Sequence, residues 1–315
     1  MRLAHITLVF SLLVFAAAGC GSGSLSNSGM GAGGAIPTAD HVFLVVLENH
    51  SFSQVIGSSA MPYLNSLASQ NSLAANYFAN THPSLGNYFV LTTGLEETNP
   101  IEGDSFPGPV SGDNVVRALA GAGKTWKAYM ESIPSAGYIG GDVQPYLKHH
   151  DPFAYFTDVA GSDGQHATAQ AVNIVPFTQL SADMAANALP NFGFIAPNVD
   201  DDAHDCPTGG SLCPDSAKLS AADNWLKNNI DPLIKSPAFA NSVLIITFDE
   251  GNITDLANGG GQVATVLVGS HVKAGFRSST LFQHQSTLRL ILDLLQVNDK
   301  PGAAASAASM SEFFQ

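Results

Sequence analysis

HVFLVVL (His41–Leu47) and SVLIITF (Ser242–Phe248) decide the fold of this chain. Each is an unbroken apolar run between polar residues, the pattern of a strand covered on both faces. Such a strand needs helices on either side of its sheet. Working outward, further strand-like runs stand at 74–79, 124–130 (KTWKAYM), Phe192–Ala196 and 262–268 (QVATVLV). Helical stretches separate them. Asp113 is expected to cap a helix over 114–122, closed by Gly123. Ser84 opens a helix over 85–93 that Gly94 ends, 221–234 are helical in period, and a helix over 287–295 closes the body. Strands alternating with helices predict an α/β fold on a mostly parallel sheet, a three-layer α/β/α sandwich.

The chain has 315 residues, 45% hydrophobic and only 12% charged, enough for one large core. Lys and Arg total 12 against 26 Asp and Glu, a net charge of −14. An acidic surface repels nucleic acid phosphates, so nucleic acid is not an expected partner. Carboxylates gathered in one cleft still suit a phosphate substrate when a cation sits between them.

Residues 1–20 read as a signal segment: Arg2, an apolar run over 6–18, then Ala17-Ala18-Gly19-Cys20. Lipidation at Cys20 would make an envelope lipoprotein held to a membrane by its N-terminus, and simple cleavage would make a secreted protein. Residues 21–37 read as a Gly/Ser-rich linker and 38–315 as one domain. Export implies an oxidising compartment. Cys206 and Cys213 flank a turn-rich loop, CPTGGSLC, and either close a local disulfide or remain free thiols.

In sheets of this kind ligands bind beyond the carboxyl ends of the strands. Glu48 and Asn49 follow the first decisive run, and Asp249 and Glu250 follow the second. Oxygen-bearing side chains there suit a hard divalent cation. Ser84 stands at a helix N-terminus, where unpaired amides and the helix dipole favour a phosphate. Asn87, one turn on, could donate to a phosphoryl oxygen. Read alone, Ser84 would equally be a plain helix cap. His82, His150, His204 and His284 lie near acids or strand ends, each able to serve as metal ligand, phosphate clamp or general acid. His41, His50, His149, His166 and His271 carry no such signal.

Taken in order, VLEN, THPSLGNY, LTTG, KTWKAYME, KHHDPF, PNVDDDAHDC, NWLKNNI, ITFDEG, VATVLVG and HQSTLRLI resemble the phosphoesterase family of bacterial and fungal acid phosphatases and phospholipases C. That family belongs to the alkaline phosphatase-like superfamily. The resemblance spans about residues 41–295 and implies an α/β/α sandwich with its site at the strand ends. It implies a metal held by Glu48, Asn49, Asp249 and Glu250, with Ser84 as nucleophile forming a phosphoenzyme. It places Asn87 and His82 at the substrate phosphate and makes His204, His150 and His284 candidates for the acid. A second metal would draw on Asp200, Asp202, His204, Asp205 and His284. The cation, one or two per chain, is Ca, Mg, Zn or Mn. Gly86 stands where the family has proline, which predicts a looser turn after Ser84. The expected reaction is hydrolysis of a phosphate monoester of a small molecule. A phospholipase C or lipid phosphatase is the first alternative, and a ligand-binding lipoprotein without turnover the second.

Overall fold

The computed structural model describes residues 35–97, 103–106, 108–207 and 212–315. The signal segment and nearly all of the linker read from the sequence lie outside them. Ten strands form: β1 (His41–Leu47), β2 (Ser72–Ala74), β3 (Tyr77–Phe78), β4 (Trp126–Met130), β5 (Ile174–Pro176), β6 (Phe192–Ala196), β7 (Ser242–Phe248), β8 (Thr265–Gly269), β9 (Phe276–Ser278) and β10 (Phe282–Gln283). The α-helices among the described residues are α1 (Phe52–Val55), α2 (Pro62–Gln70), α3 (Ser84–Thr93), α4 (Val115–Gly121), α5 (Thr157–Ala160), α6 (Gln179–Ala185), α7 (Asp215–Trp225), α8 (Asp231–Ile234) and α9 (His284–Leu294).

Eight strands make one sheet in the order β5-β4-β6-β1-β7-β8-β2-β9, and β3 with β10 form a separate ribbon. The strands from β5 to β7 are all parallel; only the pairings of β8 with β7 and β2 are antiparallel. Helices α3 and α9 pack on each other, as do α2 and α7, giving the expected three layers. Every residue of β7 and all but the first of β1 is buried, as unbroken apolar runs demand.

The register places the site. Leu47 pairs with Phe248 in parallel, so the residues that follow, Glu48 and Asp249, emerge side by side at one edge. β6 lies on the other side of β1 and leads into the DDDAHD segment on that same edge. The edge is stitched by Asp249 N–H to Leu47 O and Glu48 N–H to Asp202 O, each 2.8 Å.

Several local expectations are corrected. The run at 74–79 splits between β2 and β3 around a turn. Helix α4 is capped by Asn114, whose side chain accepts from Arg117 N, not by Asp113. Helix α7 starts at Asp215, upstream of residue 221, and continues through a π-helical turn (Leu226–Ile230) into α8. Helix α9 starts at His284 rather than at 287. Helix α3 runs regularly through Gly86, so no loosened turn follows Ser84. It stops where Gly94 takes φ 75°, a left-handed conformation suited to glycine. A Cβ there would also lie 2.5 Å from the Pro301 carbonyl.

Candidate active site

The floor of the site is a buried group of acids around one histidine. Glu48 is fully buried and accepts from Tyr88 Oη at 2.5 Å, from Ser84 Oγ at 3.1 Å and from Asn49 Nδ2 at 3.1 Å. Ser84 and Tyr88 are one helical turn apart on α3, so both reach the same carboxylate. Asp249 accepts from Asn49 N at 3.0 Å. Asn49 can take φ 54° because asparagine tolerates the left-handed region.

His150 completes the group from a short 3-10 turn (Lys148–His150). Its Nε2 lies 3.3 Å from Glu48 Oε1 and its Nδ1 3.4 Å from Asp202 Oδ2. Its ring stacks on Tyr88 at 5.4 Å. Among the described residues Glu48, His150 and Asp202 form a group able to hold a metal, their ligand atoms within 4.8 Å of one another. His150 Nε2, Asp202 Oδ2 and Asp249 Oδ2 have no hydrogen-bond partner among the described residues.

Electrostatics reinforce the geometry. Burial, then the neighbouring Asp249 and Asp202, raises the Glu48 pKa well above its ordinary value. Burial also raises Asp249, and it pushes Asp202 up to about 8. Burial drives His150 down to about 4, which keeps the imidazole neutral and its lone pair available. Neutral imidazole and carboxylates crowded without a cation are the donor set a divalent ion compensates.

The expected ligand set is therefore redrawn. Glu48 belongs to the group and Asp249 stands beside it. Asn49 braces both carboxylates instead of joining them. Glu250 lines the cavity and also pairs with His82, its Oε2 3.0 Å from His82 Nδ1. Asp202 and His150, not expected as ligands of this first site, stand close enough to Glu48 that the three could hold a metal. The second-metal set of Asp200, Asp202, His204, Asp205 and His284 does not converge. Asp202 Oδ1 accepts from His204 N at 2.7 Å, and Ala203 takes φ 83° between them. That turn sends Asp202 inward and leaves His204 at the pocket. His284 is buried, its Nε2–H donating to the Asp249 carbonyl at 2.6 Å and its Nδ1 lying 3.1 Å from Tyr77 Oη. Burial lowers it to about 4. It steadies the backbone of Asp249 and is not turned to the pocket.

Asn87 and His82 also have other duties. Asn87 Oδ1 accepts from Asn80 N and Thr81 N, and its Nδ2 donates to Thr81 O at 2.8 Å. It ties down the segment before Ser84. His82 Nε2 donates to Asp255 O at 3.0 Å. Burial opposes its protonation, but Glu250 and the Asp255 carbonyl outweigh that and raise its pKa. One amide at this helix N-terminus, Leu85 N–H, donates to Asp104 Oδ1 at 2.9 Å.

Above the floor opens a cavity of about 400 Å³, lined by Ser84, Asn49, His50, Asp104, His204, Asp205, Asp215, Lys218 and Glu250 among others. His204 Nδ1 is 2.8 Å from Asp205 Oδ1. Cys206 and Cys213 beyond it are joined in a disulfide, Cα atoms 5.7 Å apart. Sequence reading missed Tyr88, His50, Asp104 and Lys218. Only Tyr88 carried a usable signal, its spacing of four from Ser84.

The family model described as Phosphoesterase family matches residues 57–298. The chain is 31% identical over 303 residues to the phosphatidylinositol-3-phosphatase of Mycobacterium tuberculosis, covering 93% of this chain and 88% of that one. It is 29% identical over 261 residues to a probable acid phosphatase of Kluyveromyces lactis, covering 78% of this chain but only 56% of that protein. In fold it is similar to a protein of the alkaline phosphatase superfamily from Vibrio parahaemolyticus. The TM-score is 0.58 at 10% identity, over 88% of this chain and 72% of the other. The chain belongs to the Phosphoesterase family, and by that membership it is a phosphoric ester hydrolase.

Proposed function

From that membership and the geometry of the pocket, we propose that the chain hydrolyses phosphate monoesters with the aid of a divalent cation and that Ser84 is its nucleophile. One observation carries the reading: Ser84 Oγ, in the first turn of α3, hydrogen-bonds Glu48 inside the buried acid–histidine group and also faces the cavity. Glu48, His150 and Asp202 would hold the cation, with Asp249 beside them. A nitrogen donor among oxygens suits zinc or manganese better than calcium or magnesium. Such a cation, when bound, makes a serine hydroxyl more acidic and balances charge on the phosphoryl oxygens.

The remaining steps belong to the chain's own groups. The Ser84 proton is held at Glu48 Oε2. Ser84 Oγ attacks phosphorus, the bond from phosphorus to the leaving oxygen breaks, and that oxygen takes a proton from His204. Asp205 engages Nδ1 of His204, which leaves Nε2 for this transfer. Of the three candidate acids, His150 and His284 are buried with their rings engaged, so the role falls to His204. Water, giving a proton to the now neutral His204, then attacks the phosphoserine, the bond from phosphorus to Oγ breaks, Oγ regains its proton from Glu48 and inorganic phosphate leaves.

The Mycobacterium tuberculosis relative, matched nearly end to end, supports a lipid headgroup phosphate as the second reading. The disulfide supports an exported protein. Hydrolysis of p-nitrophenyl phosphate by wild type and Ser84→Ala, with and without chelator, tests the proposal. We expect chelator to abolish activity and the variant to lose at least roughly 10³-fold in kcat. Wild-type rates in Ser84→Ala would overturn the nucleophile.

A further inference from the structure

Lys218, on the first turns of α7, is the one Lys or Arg lining the cavity among the described residues. Its surroundings are acidic: Asp104, Asp205, Asp215 and Glu250 line the same space. Yet it forms no ion pair with any of them. Asp205 engages the His204 ring at 2.8 Å, and Asp215 accepts from Gln54 Nε2 at 3.2 Å. The one protein partner of the Lys218 ammonium among the described residues is a neutral group, the backbone carbonyl of His204 at 2.7 Å.

That contact fixes where the charge sits. Asp202 of the floor accepts from His204 N, and the His204 carbonyl accepts from Lys218 Nζ. The ammonium thus stands two hydrogen bonds from the buried group, on the loop and helix that bear His204. Ser84 enters from another element, the start of α3. An ammonium has three N–H donors, and the carbonyl uses one. Two donors and an unneutralised charge remain at a cavity much larger than a single phosphoryl group needs. In a chain of net charge −14, a half-buried lysine that pairs with none of the four acids lining its cavity is best explained by an anion from outside.

We propose that Lys218 binds a second anionic group of the substrate, separate from the phosphoryl group at Ser84, and so selects phosphate esters that carry two anionic centres. This inference rests on the phosphoesterase reading above. A bisphosphorylated polyol or sugar, or an ester bearing a carboxylate, has the required chemistry.

Wild type, Lys218→Arg, Lys218→Gln and Lys218→Met of the full chain should be assayed on p-nitrophenyl phosphate and on fructose 1,6-bisphosphate, at low and high salt. Glutamine can still donate to the His204 carbonyl, so it separates charge from loop support. We expect Lys218→Gln to raise KM for the bisphosphate roughly 10–100-fold with kcat little changed. The same variant should leave p-nitrophenyl phosphate within about threefold. Arginine should restore the preference, and the salt dependence of kcat/KM for the bisphosphate should flatten in Gln and Met. Equal losses on both substrates, or a Gln variant like wild type on both, would overturn the second-anion role. Wild type inactive on both substrates would instead overturn the phosphoesterase reading, and this inference with it.

Discussion

Asp202 and Asp183 are both buried aspartates, 1% and 4% exposed, and their surroundings push them in opposite directions. Burial raises Asp202 to about 8. Burial would raise Asp183 too, but Lys127, Gln179 and Tyr129 outweigh it and hold its carboxyl below the usual range. Asp183 accepts from Lys127 Nζ at 2.6 Å, Tyr129 Oη at 2.7 Å and Gln179 Nε2 at 2.9 Å. Among the described residues Asp202 Oδ2 has no hydrogen bond, and its near neighbour is the neutral His150 ring at 3.4 Å. The difference separates two uses of a buried acid. A carboxylate with its own cation ties α6 to β4, and a carboxylate lacking one belongs to a group that could hold a cation from outside.

Neutralising each acid tests this most strongly. Asp202→Asn keeps an oxygen for His204 N and removes the charge. We expect kcat/KM to fall at least about 100-fold and bound metal to drop. The thermal midpoint of the metal-free protein should hold, and rise as pH approaches 8, since an amide need not ionise in the buried group. Asp183→Asn should leave kcat/KM within about threefold and bound metal unchanged. Activity assays, metal content by mass spectrometry and melts in chelator read all of this. A large activity loss in Asp183→Asn, or full metal content in Asp202→Asn, would erase the distinction.

The two acids also mark what could be read in the sequence. Strands β1, β6 and β7 were legible to the residue, because strands covered on both faces leave continuous apolar runs. Glu48 and Asp249 follow from them, since a parallel register needs only the two run ends. The 74–79 run was misread because its halves pair with different partners, β2 in the main sheet and β3 with β10. No local pattern records such distant pairing. His150 was legible as a candidate but not as the neighbour of Glu48 and Asp202, because loop closure brings it there. Glu250 and Asn49 were legible as residues of the strand ends, but not their side-chain partners, His82 for Glu250 and Glu48 for Asn49, which only the turn geometry sets. Asp183 gave no signal, as its partners sit on β4 and within α6.

A smaller effect is expected on stability. Asp183→Asn leaves Lys127 without its acid and should cost about 2–3 kcal/mol at neutral pH. The folded pKa of Asp183 lies below its unfolded value, so its stabilisation is complete above the unfolded pKa, about 3.9. It is lost as pH falls through the folded value. Urea unfolding at several pH values should show wild type and variant converging below about pH 4. A constant gap down to acid pH would mean that Lys127 matters through packing and not through charge.

Asp223 supplies the smallest and sharpest test, because it is satisfied without a cation. It is 3% exposed and caps the start of α2, accepting from Tyr63 N at 2.9 Å and Leu64 N at 2.8 Å. Burial nonetheless raises its pKa, and the two amides only partly oppose this. If a charge partner and not the number of hydrogen bonds distinguishes Asp183, then Asp223→Asn should cost only about 1–2 kcal/mol, for the one amide that asparagine's single acceptor oxygen leaves unpaired. The pH trend must also have the opposite sign. A folded pKa above the unfolded one means the acid is most favourable at low pH and loses stability as pH rises toward the folded value. The Asp223→Asn variant should therefore gain on wild type as pH rises above about 4, whereas Asp183→Asn falls behind only as pH rises toward about 4 and then keeps a constant gap. Two unfolding series from acid to neutral pH would show this as differences of opposite sign, one opening below about pH 4 and the other above it. Parallel slopes would show that burial alone governs both acids, and the reading of Asp202 as a cation's place would lose its support from this contrast.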